Sequence, residues 1–470
     1  METDVAVIGS GPGGYTAAFR LADLGKKVTL IEYYPVIGGV CLNVGCIPSK
    51  ALLHAAKILT DAEDSKEMGI ALEAPKVDLK KLREWVLKNT VNRLTGGLTM
   101  LAKKRKVEII QGRAEFVSNT ELKITKPDNS SVNLKFHDAI IAVGSSPIKL
   151  PFLPDDPRIM DSTGALQIAD VPQELLVIGG GIIGMELGTV YDAVGSKVTV
   201  VELTENILGN VDKDLTVPLL KRMQKRFKSF MFGTKVTKVE AKKDGLYVTF
   251  EGKQAPQQPI KFDKILSCVG RAPNGKLIHA DKAGVVVDER GFIPVDKQMR
   301  TNVANIYAIG DVVGNPMLAH KAMSEGKIAA EVIAGKKHFF EPMCIPSVAY
   351  TDPEVAWTGV TETEATAKGI AYEKGVFPWV ASGRSLSLGR DDGITKLIVD
   401  RKTNRVIGAG IVGPGAGDLI AEVGLAIEMG SDVEDIALTI HPHPTLSETI
   451  AQAAEIIDGT ITDLYMPKGK

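Results

Sequence analysis

Two cysteines five positions apart offer the clearest chemistry in this sequence. They are Cys41 and Cys46, in the segment Gly38-Gly39-Val40-Cys41-Leu42-Asn43-Val44-Gly45-Cys46-Ile47-Pro48-Ser49-Lys50. Residues at this spacing lie on different faces of a regular helix, whereas a disulfide needs α-carbons roughly 4.4–6.8 Å apart. Gly45 and Pro48 permit a distorted turn that brings the sulfurs together. A helix is expected to follow over residues 50–59, and a helix N-terminus near a thiol favours the reactive thiolate. Three readings compete: two inert thiols, two metal ligands, or a redox-active disulfide. No further Cys or His cluster completes a four-ligand metal set, and the redox reading is favoured. Cys268 and Cys344 sit in apolar, strand-like stretches and read as packing residues. Four cysteines in 470 residues form no structural disulfide framework; a close pair in a reducing compartment points to catalysis or metal binding.

A second pattern occurs twice. Gly9-Ser10-Gly11-Pro12-Gly13-Gly14 follows a strand over 5–8 and opens a helix over 13–24, with a strand over 28–31 running into Glu32. Gly179-Gly180-Gly181-Ile182-Ile183-Gly184 follows a strand over 175–178 and opens a helix over 184–194, with a strand over 197–201 leading to Glu202. In such a fingerprint the first glycine (Gly9, Gly179) makes the turn. The second (Gly11, Gly181) lets backbone approach a pyrophosphate, and the third (Gly14, Gly184) lets helix and strand pack closely. The helix N-terminus faces the phosphates, and the acid takes the ribose hydroxyls. Glu202 pairs with a free 2′-hydroxyl and repels a 2′-phosphate. No Lys or Arg occurs among Leu203, Thr204, Glu205 and Asn206, so NAD is expected at the second turn rather than NADP.

The elements around these motifs imply several domains. Residues 78–106 read as an amphipathic helix interrupted at Gly96-Gly97, followed by a β-rich stretch to about residue 145 and a Pro-rich hinge over 147–157. From about residue 342, strand-like runs (348–350, 395–399, 406–412) alternate with helical ones (418–428, 445–457), an α+β pattern without a nucleotide motif. The charge is nearly balanced, with a net −1, which gives no reason to expect nucleic acid or an anionic membrane as partner. No apolar run reaches the roughly 18 residues of a membrane span, no leader is recognised before the first strand, and a cytoplasmic location is expected.

The cysteine segment resembles the active-site segment of the pyridine nucleotide–disulfide oxidoreductases, and within them of the branch that oxidises dihydrolipoyl groups. Further similar segments are Cys268-Val269-Gly270-Arg271-Ala272-Pro273-Asn274, Ile306-Tyr307-Ala308-Ile309-Gly310-Asp311 and His441-Pro442-His443-Pro444-Thr445-Leu446-Ser447-Glu448. The resemblance covers essentially the whole chain. It implies an α/β fold with two Rossmann-like dinucleotide-binding domains and a C-terminal α+β dimerisation domain. The expected division is 1–147 (FAD), 148–270 (NAD), 271–341 (a central part returning to the flavin) and 342–470 (interface). It implies FAD on the first Gly-rich turn, with Asp311 at the ribityl–phosphate portion and further contacts at Ala114, Gly144 and Ala319. It implies NAD on the second, with backbone contacts at Gly270 and Val236.

Roles follow from the chemistry and the resemblance together. Cys41 exchanges with substrate sulfur, and Cys46 lies against the flavin as a charge-transfer thiolate. Lys50 sits near the flavin with Glu186 as its ion-pair partner. His443 is the general base, since an imidazole titrates near neutral pH, and Glu448 orients it; His441 reads as a surface or packed residue. No metal is expected. The implied partners are a second copy of the chain, whose C-terminal domain completes the site, and a lipoyl-bearing protein of a 2-oxoacid dehydrogenase or glycine-cleavage complex. The rivals are a glutathione-reductase-like enzyme, which should bind NADP and for which the residues after Glu202 lack basic groups, and a flavin-loaded scaffold, which would not need Cys41, Cys46, His443 and Glu448 together.

Overall fold

A computed structural model describes residues 1–73 and 75–466. The first Gly-rich turn sits in a seven-stranded sheet. Its centre is the strand Glu2–Ile8, parallel to Val28–Glu32 on one side and to the far end of Ser131–Ile141 on the other. Val5 to Ile8 are all apolar and essentially fully buried, as a strand covered on both faces requires. The chain leaves this sheet and later returns to it: Ile306–Ala308 pairs in parallel with Ala139–Ile141. That return places the following turn, Gly310–Val313, beside the first Gly-rich turn. The helix Ala319–Ile333 then packs on Pro12–Asp23. A Cβ on Gly326 would lie 2.6 Å from the carbonyl of Gly13, so the two backbones touch where only glycine fits.

The second Gly-rich turn sits in a separate five-stranded parallel sheet, ordered Ser229–Met231, Lys197–Val201, Glu174–Ile178, Lys264–Ser267 and Ile159–Met160. Two short strands, Ser145–Pro147 and Arg271–Pro273, pair antiparallel. The C-terminal part is a five-stranded antiparallel sheet, from Ser347–Ala349 to Tyr372–Pro378. The helices Ala416–Met429 and Glu448–Asp458 share its apolar core with Trp379. Among the described residues no helix is long and apolar enough to cross a membrane.

Four local expectations need correction. The helical stretch 78–106 is not interrupted at Gly96-Gly97; the helix Asn92–Lys104 runs through both, and the irregularity is a π turn at Leu87–Val91. A glycine pair inside a helix costs stability but does not dictate a break when flanking residues hold the turns. The helix after the cysteines begins at Cys46 and runs to Asp64, rather than over 50–59. The last helix begins at Glu448, so residues 445–447 remain a turn bonded to the Glu448 carboxylate. Cys268 and Cys344 both lie outside any strand, Cys268 one residue past Lys264–Ser267; the Cys344 thiol donates to the Gly424 carbonyl at 3.7 Å.

Candidate active site between two Gly-rich turns

The helices Pro12–Asp23 and Ile182–Ala193 start immediately after Gly11 and Gly181, and neither has a side-chain cap. Their first N–H groups and positive dipole ends remain available for an anion. The glycines divide their work in the same way in both turns. Gly9 and Gly179 hold φ of +102° and +106°; a Cβ there would lie 2.3 and 2.5 Å from the carbonyls of Ala142 and Cys268. On Gly14 and Gly184 it would lie 1.9 and 2.2 Å from the carbonyls of Gly9 and Gly179. A Cβ on Gly11 or Gly181 would meet nothing within 4 Å, so open space adjoins the backbone there.

The acids repeat too. Glu32 accepts from the N–H of Ser10 at 3.0 Å and of Tyr34 at 2.9 Å. Glu202 accepts from the N–H of Gly180 at 2.6 Å and of Thr204 at 2.8 Å. Each carboxylate therefore braces its own turn and keeps lone pairs for ribose hydroxyls. Lys235, which lines the cavity, pairs with Glu251, and Lys253 pairs with Glu205.

One cavity of about 1510 Å³ joins the two turns, well above the roughly 300–1,000 Å³ of a single small-ligand pocket. Gly9, Gly11, Gly14, Glu32, Cys41, Cys46, Lys50, Ala114, Gly144, Asp311 and Ala319 line it, as do Gly179, Gly181, Glu186, Glu202, Val236 and Gly270. Gly184 lies beneath the wall as a buried helix–turn contact, and His443 and Glu448 are elsewhere. The bare Gly11 backbone, the uncapped helix and the braced Glu32 fit a dinucleotide such as FAD. Asp311 accepts from the Ser145 hydroxyl, which Arg271 also holds at 2.7 Å. Its turn is fixed by the buried Lys321–Glu325 pair, whose carboxylate accepts from the Gly310 N–H at 2.7 Å.

Cys41 belongs to the short helix Gly39–Val44, and Cys46 opens the next helix. Gly45 separates them at φ −145°, ψ −116°, where a Cβ would lie 2.8 Å from the Val40 carbonyl. This fold-back brings the sulfurs together. Both are free thiols. The Cys41 thiol donates to the Cys46 sulfur, which pushes Cys41 far up and brings Cys46 down to about 7; burial opposes the second shift and the Lys50 ammonium assists it. Lys50, one helical turn beyond Cys46, is held by both oxygens of the buried Glu186 at 3.0 and 2.8 Å. Cys268 also faces the cavity, but burial raises its thiol to about 12.

His443 Nδ1 lies 2.8 Å from Glu448 Oε1, and the other carboxylate oxygen accepts from the Thr445 N–H at 2.7 Å. With Nδ1–H donating to the carboxylate, Nε2 is the basic atom. The ring is 79 % exposed. His441 is instead packed, its Nε2 2.6 Å from Glu422 Oε1 and its Nδ1 2.8 Å from the Thr439 carbonyl. Sequence reasoning missed Ser145, Arg271, the Lys321–Glu325 pair and Tyr350. Arg271 stands inside a segment already singled out; the others carry no motif.

Residues 3–326 match the family model described as pyridine nucleotide-disulphide oxidoreductase. The chain belongs to the pyridine nucleotide-disulphide oxidoreductase family. Residues 345–454 match that family's dimerisation domain. The chain is similar to the dihydrolipoyl dehydrogenase of Vibrio cholerae, at 56% identity covering 100% of this chain and 98% of that one. It is 46% identical to the dihydrolipoyl dehydrogenase of Geobacillus stearothermophilus, covering 98% and 97%. Among solved structures, LpdA of Mycobacterium tuberculosis superposes with a TM-score of 0.89 at 26% identity, covering 97% and 99%. The HOCl-induced flavoprotein disulfide reductase RclA of Escherichia coli superposes at 0.85 and 26%, covering 97% and 100%.

Proposed function

We infer that this chain is a dihydrolipoyl dehydrogenase, oxidising dihydrolipoyl groups and reducing NAD to NADH. The observation that carries this reading is the fold-back of Cys41 onto Cys46 in the cavity shared by two dinucleotide turns. Full-length relatives of that name support it. Cofactors are FAD at the first turn and NAD at the second. Bound there, FAD supplies a two-electron centre between the dithiol and NAD.

The chain's own residues do the sulfur chemistry. His443 Nε2 takes a proton from one substrate thiol, and Glu448 stabilises the resulting imidazolium. The substrate thiolate attacks the Cys41 sulfur of the oxidised pair, releasing Cys46 as a thiolate. The second substrate thiol then attacks the sulfur bound to Cys41, its proton passes to the departing Cys41 sulfur, and the lipoyl disulfide leaves with Cys41 as a thiol. Cys46 remains ionised next to Lys50 and holds the electron pair that moves on.

His443 belongs to the dimerisation match and lines no part of the cysteine cavity of its own chain. Exposed apolar side chains cluster in the same region: Leu425, Met429, Leu438 and Ile440, the last 96 % exposed. Both facts support a homodimer in which one protomer supplies the cysteines and its partner supplies the base. The four-part division at 147, 270 and 341, a cytoplasmic location and a lipoyl-bearing protein of a 2-oxoacid dehydrogenase or glycine-cleavage complex belong to the same proposal. A dithiol couple that must be reduced in each cycle suits a reducing compartment.

The test is steady-state reduction of NAD and of NADP by dihydrolipoamide with the purified yellow protein. Rapid NAD reduction with little NADP reduction is expected. NADPH-driven reduction of another disulfide, without dihydrolipoamide activity, would overturn the substrate assignment.

A further inference from the structure

Lys50 and Cys46 share one face of the helix Cys46–Asp64, a turn apart. The Lys50 ammonium helps Cys46 ionise only if it stays near the sulfur, and the rotamer entropy of the lysine stem works against this. The Glu186 carboxylate fixes the ammonium but opposes ionisation of Cys46 by its own charge. The geometry of the pair therefore matters as much as its existence.

A third group controls that geometry. Tyr350 lies just beyond the strand Ser347–Ala349 of the C-terminal sheet and lines the cavity. Its ring lies under the Lys50 ammonium, 4.5 Å from nitrogen to centroid. Its backbone N–H donates to Glu186 Oε1 at 2.9 Å. One residue of the C-terminal sheet thus touches both members of an ion pair whose halves come from the two nucleotide-binding units. A ring face attracts a cation. It holds the ammonium without adding the negative charge that a second carboxylate would bring near the sulfur.

We propose that Tyr350 is a positioning residue that sets the Lys50–Glu186 pair against Cys46 and so keeps the Cys46 thiolate available in the reduced protein. The inference rests on the reading of Cys41 and Cys46 as the reacting pair. Among the described residues, the titratable groups that act on or around Cys46 include Cys41, Lys50, Glu186, Tyr15 and Tyr350. Of these, Tyr350 comes from the segment that follows the C-terminal strand Ser347–Ala349 and reaches the sulfur through Lys50 and Glu186.

The experiment is a pH titration of the long-wavelength charge-transfer absorbance of the reduced holoenzyme, for wild type, Tyr350→Phe and Tyr350→Leu, with thermal melting of each. Phenylalanine keeps the ring face and the N–H. Leucine keeps apolar bulk and the N–H but no π face. Tyr350→Phe should titrate like wild type. Tyr350→Leu should titrate about one unit higher, a tenfold loss of thiolate at low pH, with its melting temperature little changed. Overlapping titrations for Leu and wild type, or equal shifts for Phe and Leu, would overturn the inference. A wild-type protein without the band on reduction would sink the reading of the cysteine pair, and this inference with it.

Discussion

The two thiols differ in kind although they are five residues apart. Cys41 gives its proton to the hydrogen bond, and Cys46 titrates at about 7, first because of that bond and then because of Lys50. Raising the pH through 7 in the reduced protein converts Cys46 from thiol to thiolate, so NAD reduction should fall as the pH drops below about 7. The check is the pH profile of single-turnover NAD reduction by pre-reduced protein. Cys46→Ser should abolish that step, whereas His443→Gln should spare it. His443→Gln removes a general base, an effect of about 10²–10⁴-fold. It should lower kcat/KM for dihydrolipoamide by that order, while NADH oxidation by an artificial flavin acceptor stays near wild type. The types and spacing of these residues were legible in the sequence because a CxxxxC segment and a His-to-Glu spacing are short-range patterns. Tyr350 was not legible: it acts through a face and a backbone N–H brought 300 residues down the chain to Lys50, and nothing local marks it.

At the scale of elements, both strand–turn–helix units could be read because each is local: a buried apolar strand, three glycines and an acid. Their shared cavity could not, since it depends on how the sheets face each other. The end of the 50–59 helix prediction nearest the cysteines failed for a physical reason. Gly45 folds back on Val40 and lets the helix restart at Cys46 itself, placing the thiol in its first turn. The contact between the helices Pro12–Asp23 and Ala319–Ile333 was equally hidden, because Gly13 and Gly326 meet across the fold. Gly326→Ala pushes a methyl towards a carbonyl oxygen and overpacks this crossing, at a cost of about 1–3 kcal/mol. Denaturant unfolding should show that loss together with weaker FAD retention, since this helix begins at Ala319 on the cavity wall. Unchanged stability would mean that the crossing relaxes freely.

At the scale of the whole molecule, the placement of His443 and Glu448 has to be reconciled with the cysteines. The pair is well formed, yet its exposed ring borders no cavity that holds Cys41. Two sites per dimer, each built from both protomers, make a strict prediction about mixtures. Consider Cys41→Ser chains co-expressed in equal amounts with His443→Gln chains. Each homodimer lacks a required group in both sites. A mixed dimer has one site with both defects and one with neither. With random pairing, half the dimers are mixed and half their sites are intact, so activity should recover to about a quarter of wild type. If cysteines and base instead belong to one protomer, every site in every dimer carries one defect and nothing is recovered. Differently tagged chains isolate the mixed dimer, whose dihydrolipoamide activity should be about half that of wild type per dimer. Its failure to exceed the two parent homodimers would place His443 beside the cysteines of its own chain and remove the argument for a site shared between protomers.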